Sequence, residues 1–212
     1  MCSASSSIIQ NAKLSVWLKI LVSFYIVVLI PVYWIELGPA NFLWFCDIAL
    51  LIMVVALWRE SQLLVSIVAV GILLPELAWN LDFFGRMITG KHLFGLTGTA
   101  YMFTDERPIA VRVLSLFHVF LPLLTLTMLY KLGYDHRAWL IQSIIIWIVL
   151  PLSYWFSTPV ANINFVFGLG GEAQNWMSPY LWIGLLMVFF PFCVYLPTHI
   201  LLRRFAKKTR IE

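Results

Sequence analysis

Six apolar stretches, at residues 16–35, 42–58, 63–84, 108–130, 138–156 and 179–202, dominate this chain of 212 residues. At a rise of about 1.5 Å per residue each is long enough to cross a hydrocarbon core of ~30 Å, the second only barely. Backbone polar groups have no water to bond in hydrocarbon, so a crossing segment is a helix or a strand of a closed barrel. No run of about ten residues alternates apolar and polar, which leaves helices. The expected fold class is all-α: a polytopic membrane helix bundle with six transmembrane helices. Residues 1–212 read as a single membrane domain with a short N-terminal tail, 1–13, and a basic C-terminal tail, 203–212.

Only 11% of the side chains are charged and 62% are hydrophobic, with mean hydropathy +0.91. A soluble domain carries about 25% charge, so a soluble enzyme, a disordered regulator and a disulfide-stapled secreted module are all excluded. The net charge of +4 does not point to nucleic acid, because five of the 14 Lys and Arg lie between Arg203 and Arg210. A basic juxtamembrane tail of that kind suits anionic headgroups. Cys2, Cys46 and Cys193 are dispersed and form no disulfide or zinc spacing. The first apolar run is longer than a signal-peptide core and ends in Tyr33-Trp34, so it reads as a retained helix.

With the N-terminus in the cytoplasm, Lys13, Lys19, Arg59, Lys131, Arg137 and the five basic tail residues fall inside, against Arg86, Lys91, Arg107 and Arg112 outside. The positive-inside rule therefore places both termini in the cytoplasm, and the expected location is a bacterial inner (plasma) membrane. Pro108 and Pro179 stand where helices can start. Pro31, Pro75, Pro122, Pro151, Pro191 and Pro197 lie inside five of the six helices, and kinks at that density suit a bundle that splays around a cavity. The outer loops 85–107 and 157–178 are the long ones, and they are the expected docking faces for membrane protein partners.

Ionisable groups at membrane depth are expensive and point to function. They are Asp47, Glu76, Asp82, Arg112 and His118. Counted from the outer helix ends, Asp47 lies at ~8 Å, Glu76 at ~12 Å, Arg112 at ~6 Å and His118 at ~15 Å. Asn80 shares a face with Glu76. The group defines a polar, outward-opening cavity between helices two, three and four. Each member also has a bland reading. Glu76 and Asp47 can be structural partners of Arg112, and Glu76–Arg112 is the expected pair. His118 can be a carbonyl-bonded core histidine. Cys46 can be a small buried hydrophobe, or a thiol that His118 activates as a nucleophile. The aromatic residues read chiefly as interfacial belt and packing, with a pigment or haem site the minority reading. No HxxxH or ExxH spacing suggests a metal, and no cofactor is expected.

Cys46-Asp47 early in the second helix, Leu116-Phe117-His118 in the fourth, and Val160-Ala161-Asn162-Ile163-Asn164-Phe165 before the sixth together carry a resemblance. The chain resembles the YwaF-like integral membrane proteins, related to the androgen-induced membrane hydrolases and to an animal ether-phospholipid acyltransferase. The likeness spans roughly residues 41–202. It implies a six-helix bundle in which a Thr or Cys nucleophile and a His act on lipid ester or thioester bonds. Cys46 would be the nucleophile, His118 the base and Asn164 a loop amide. Where that family has a histidine two positions before the Cys-Asp pair, this chain has Trp44.

The function expected on these grounds is a lipid acyltransferase or ester hydrolase opening to the outer leaflet, with membrane lipids as its partners. Cys46 would attack, His118 would shuttle the proton and Asp47 or Glu76 would orient the histidine. Glu76, Asn80, Arg112, Asn162 and Asn164 would bind substrate, the last in a segment that dips back to present amides to the cavity mouth. The rival is a non-catalytic subunit of a larger membrane complex. A small proton-coupled transporter is a weaker third reading, because no inverted repeat is visible.

Overall fold

The structure is a computed structural model that describes residues 14–92, 98–169 and 172–208. Eight helices follow in order: α1 (Val16–Glu36), α2 (Phe45–Arg59), α3 (Gln62–Thr89), α4 (Ile109–Leu114), α5 (Phe117–Leu132), α6 (Ala138–Phe156), α7 (Pro179–Phe189) and α8 (Leu196–Lys208). Short 3-10 turns stand at Pro39–Leu43, Ala100–Phe103 and Ile163–Phe165, and no strand occurs among the described residues. Five stretches are long and apolar enough to cross a bilayer: α1, α3, the α4–α5 pair, α6, and Pro179–Phe205. The chain is thus an all-helical membrane protein. The second expected crossing differs: α2 has 15 residues, about 22 Å of helix, short of a ~30 Å core.

The burial pattern is that of a bundle in lipid. Trp17, Ile35, Ile88 and Trp155 are exposed on the outside, a placement that costs nothing where the surrounding medium is as apolar as the side chains. α3 is the hub and packs against α2, α5 and α6. Every residue from Val65 to Ile72 is buried, as expected of a helix surrounded on all sides. Gly71 permits the approach of α6, since a Cβ there would meet Gln142 Nε2 at 2.7 Å. α3 starts at Ser61, whose hydroxyl accepts from the Leu64 N–H (3.3 Å), and stops at left-handed Gly90. It runs five residues beyond the expected end at 84, because a helix tolerates Gly85 at about 1 kcal/mol and Gly90 supplies the first left-handed stop. The outer loop expected at 85–107 is shortened accordingly.

Two interruptions shape the site. The fourth expected helix breaks at Ser115–Leu116, where His118 N–H bonds Ser115 C=O (3.2 Å) and Val119 N–H bonds Leu116 C=O (2.9 Å), both i→i−3. α1 holds the break: the Tyr25 hydroxyl donates to the Leu114 carbonyl, and the Tyr33 and Ser115 hydroxyls lie 2.7 Å apart. His118 consequently sits in the first turn of α5. The sixth expected helix contains a π turn, Phe190–Tyr195. There Pro191 cannot donate, and the carbonyl of Pro191 accepts from Trp139 Nε1 (3.2 Å).

Candidate functional site

A cavity of about 570 Å³ opens between the end of α1, the first turn of α2, the middle of α3, the start of α5 and the loop at Ala161–Phe165. Its wall includes Cys46, Asp47, Glu76, His118, Asn162 and Asn164 among the sequence-expected residues. Asn80 and Arg112 are not part of it.

Three helices bring one donor each to a single point. Cys46 is the second residue of α2, Glu76 follows Pro75 inside α3, and His118 is the second residue of α5. The Cys46 sulfur, a His118 ring nitrogen and a Glu76 carboxylate oxygen all lie within 4.8 Å of one another. His118 Nδ1 is 2.9 Å from both Glu76 oxygens. A carboxylate oxygen is an acceptor, so Nδ1 is the donor nitrogen of this pair. The ring lies between Trp79 (4.5 Å, 18°) and Phe117 (4.2 Å, 24°), which fixes its plane. Asn80 works behind it, donating to the carbonyls of His118 (2.7 Å) and Glu76 (2.8 Å) and so fastening α5 to α3.

The local fold of α2 serves the sulfur. The helical ladder starts only with Ile48 N–H bonding Trp44 C=O (3.0 Å), so the earlier N–H groups are free for other partners. That of Phe45 meets Asn164 Oδ1 (3.1 Å).

Asn164 does not present its amide to the cavity mouth as expected. Its Oδ1 accepts from Phe45 N–H (3.1 Å), and its Nδ2 donates to Leu43 C=O (2.7 Å) and Ser153 Oγ (2.9 Å). The residue is 1% exposed and in the left-handed region (φ 55°). It clamps the entry of α2, and hence Cys46, onto α6. Asn162 is likewise spent locally, accepting from Phe167 N–H and donating to Gly168 C=O (both 2.9 Å).

The expected Glu76–Arg112 pair is absent. Both Glu76 oxygens face His118, while Arg112 reaches the loop carboxylate of Asp105 at 3.0 Å. Depth along consecutive helices did not specify azimuth. Asp47 does not orient His118 either: its Oδ2 accepts from Asn41 Nδ2 (3.2 Å), and its buried Oδ1 has no hydrogen-bond partner.

Sequence reasoning missed Tyr33, Trp79, Tyr101 and Arg107 on the wall. The Tyr33 hydroxyl engages Ser115. Burial pushes the Tyr101 phenol above its ordinary value, so it stays a neutral donor. The available signal for Tyr101 and Arg107 is their place in the expected outer loop, whereas Tyr33 and Trp79 read as belt and packing aromatics.

Thiolate, imidazole and carboxylate are also zinc-class donors. The search by spacing found no such set because Cys46, Glu76 and His118 come from three different helices. No protein-family description, curated protein or solved structure matches the chain.

Proposed function

We propose that the chain is a membrane-embedded acyltransferase or ester hydrolase for lipids, with Cys46 as nucleophile, His118 as base and Glu76 orienting the histidine. The observation that carries this is the meeting of Cys46, His118 and Glu76 within 4.8 Å on the wall of a large cavity. A nucleophile needs a base, and the base needs a third group that fixes its tautomer. His118 takes the Cys46 proton. The thiolate attacks the acyl carbonyl, and the leaving alkoxide collects the proton from His118, giving a Cys46 thioester. Water or a lipid hydroxyl then attacks, His118 accepts its proton, and the thiolate is released to be reprotonated. The resemblance to YwaF-like proteins points the same way. The proposal includes six crossings, with α2 as the short one, both termini in the cytoplasm and the cavity opening to the outer leaflet of a bacterial inner membrane.

The test is trapping. The chain in lipid nanodiscs is treated with a p-nitrophenyl acyl ester, and peptides are examined by mass spectrometry. An acyl adduct on Cys46 that hydroxylamine releases is expected, absent in Cys46→Ala and slowed in His118→Ala. A second reading rests on the same donors: the set holds a zinc-class ion. One metal per purified chain, lost in both Cys46→Ser and His118→Ala, with no adduct in the native chain, would favour it. Neither adduct nor metal would leave the accessory-subunit reading in front.

A further inference from the structure

Asp47 is the carboxylate that this site does not use. It is 3% exposed, one residue from the nucleophile, on the wall of the cavity. Asn41 holds one of its oxygens, and the other is buried with no hydrogen-bond partner. Glu76, the other carboxylate on the wall, is committed to His118. A buried carboxylate with an unpartnered oxygen is costly, and the cost falls sharply when a cation or donor reaches it. The surroundings favour an organic cation over a hydrated ion, since Trp44, Trp79 and Tyr101 stand on the same wall and aromatic faces attract positive charge. At the rim the sign reverses: Arg107 lines the cavity and is exposed.

We propose that the cavity binds the primary ammonium group of its substrate, with Asp47 Oδ1 accepting an N–H from it. The inference names a substrate class for the cavity. It rests on the reading that the cavity receives a substrate, and not on attack by Cys46. An oxygen that lacks a donor selects an ammonium with N–H bonds over a quaternary one, which has none to give. The terminal torsion of an aspartate is broad, so a small rotation turns Oδ1 to meet an incoming group. The same chemistry is offered by a free alkylamine and by an ethanolamine lipid headgroup, and Arg107 at the rim complements the phosphate of the second.

Alkylation of Cys46 reports occupancy without turnover, and Cys193, exposed and away from the cavity, is the internal control. The full chain in phosphatidylglycerol nanodiscs is treated with N-ethylmaleimide, and the two cysteines are followed separately by peptide mass spectrometry. Hexylamine at ~10 times its Kd should slow Cys46 alkylation about tenfold and leave Cys193 unchanged. Hexanol and hexyltrimethylammonium should slow it less than about twofold at that concentration, with the expected affinity gap being the missing charge or the missing N–H. Asp47→Asn keeps an acceptor for Asn41 but places an N–H donor where the ammonium would sit, and should abolish the protection. Phosphatidylethanolamine nanodiscs separate the two sources. If the headgroup is the ligand, they protect Cys46 by themselves, and Arg107→Gln removes that protection while leaving that of hexylamine. If they do not, the ligand is a free amine.

Equal protection by hexanol means the cavity reads only the chain and overturns the proposal. Equal protection by hexyltrimethylammonium overturns the N–H contact, and protection that survives in Asp47→Asn overturns the role of Asp47. If Asp47→Asn does not fold, the ranking of the three ligands on the native chain still decides. If Cys46 does not alkylate, the same ranking is read from melting temperatures. Amine selectivity without any acyl adduct would leave a binding cavity that does not catalyse. An adduct without amine selectivity would leave the acyl chemistry intact and Asp47 outside substrate recognition.

Discussion

α3 carries two buried carboxylates six residues apart, and each is bonded to a histidine. Glu76 (3% exposed) meets His118 Nδ1 at 2.9 Å, and Asp82 (0% exposed) meets His92 Nδ1 at 2.8 Å. Asp82 even has a hydroxyl beside it, Thr99, so its residue types match a nucleophile, a base and an orienting acid. The arrangement differs. The Thr99 hydroxyl donates to Asp82 itself, and the second ring nitrogen of His92 is taken by Arg86, whose guanidinium also lies 4.7 Å from the Phe103 ring. Each polar group in that cluster is turned toward its neighbours, and apart from the cavity. Among the described residues His118 bonds a side chain only through Nδ1, and it shares a cavity wall with a thiol. A carboxylate–histidine pair is therefore a common way to bury two polar groups, and reactivity requires a free ring nitrogen, a nucleophile and a space for substrate.

The sharpest way to break this comparison is to remove each candidate nucleophile. Cys46→Ala should reduce acyl-ester turnover to the background rate, whereas Thr99→Ala should leave the rate per folded molecule within about twofold, since only a nucleophile is consumed in the covalent step. Rates normalised to the folded fraction decide it. Loss of turnover in Thr99→Ala alone would move the active site to Asp82.

The carboxylates come next. Glu76→Gln should lower kcat by about 10²–10⁴-fold, the usual worth of a positioned acid–base pair, because the amide no longer fixes the His118 tautomer. Asp82→Asn should leave kcat near native and instead cost about 3–5 kcal/mol of stability, having stripped the counter-charge from a buried cluster. Melting curves and kinetics on the two variants should thus show opposite patterns. A fall in kcat for Asp82→Asn at full folding would mean that the loop is coupled to the chemistry.

Much of this was legible in the chain. The helices follow from apolar runs, and Cys46, Asp47, Glu76 and His118 stand out because charge and reactivity at membrane depth are rare. What one dimension withheld was rotation about each helix axis. Depth placed Arg112 near Glu76, yet the break at Ser115 leaves Arg112 on α4 facing Asp105 and turns His118 toward Glu76. That break is itself illegible, because it is held from α1, where Tyr25 bonds the Leu114 carbonyl and Tyr33 the Ser115 hydroxyl, more than 80 residues earlier in the chain. Asn164 was found for the wrong reason: a loop amide looks like a ligand until the backbone groups it satisfies are known.

Asn164 gives the third prediction. Its side chain satisfies Phe45 N–H, Leu43 C=O and Ser153 Oγ, so Asn164→Ala should cost about 1–3 kcal/mol of stability through stranded polar groups. It should also lower kcat, since the first turn of α2 carries Cys46. Asn164→Asp retains the acceptor for Phe45 N–H but loses both donors, and should rescue only part. If Asn164→Ala loses turnover with its melting temperature unchanged, the amide acts on substrate and the clamp is incidental.

The smallest expected effect concerns the charge that sequence paired with Glu76. Arg112 binds Asp105, whose side chain is 98% exposed, and exposed ion pairs are worth about 0.2–1 kcal/mol. Asp105→Ala should therefore shift stability by less than about 1 kcal/mol and leave kcat unchanged. A double-mutant cycle of Glu76→Gln with Arg112→Gln should be additive within ~0.3–0.5 kcal/mol, because the two groups share no partner. Had they formed a buried pair, removing Arg112 alone would strand a carboxylate and the double variant would be the milder one. Detergent melting of the three variants separates the cases. A coupling energy above 1 kcal/mol would put Arg112 back against Glu76 in the folded protein, and His118 would then share its orienting group with a permanent cation that weakens it as a base.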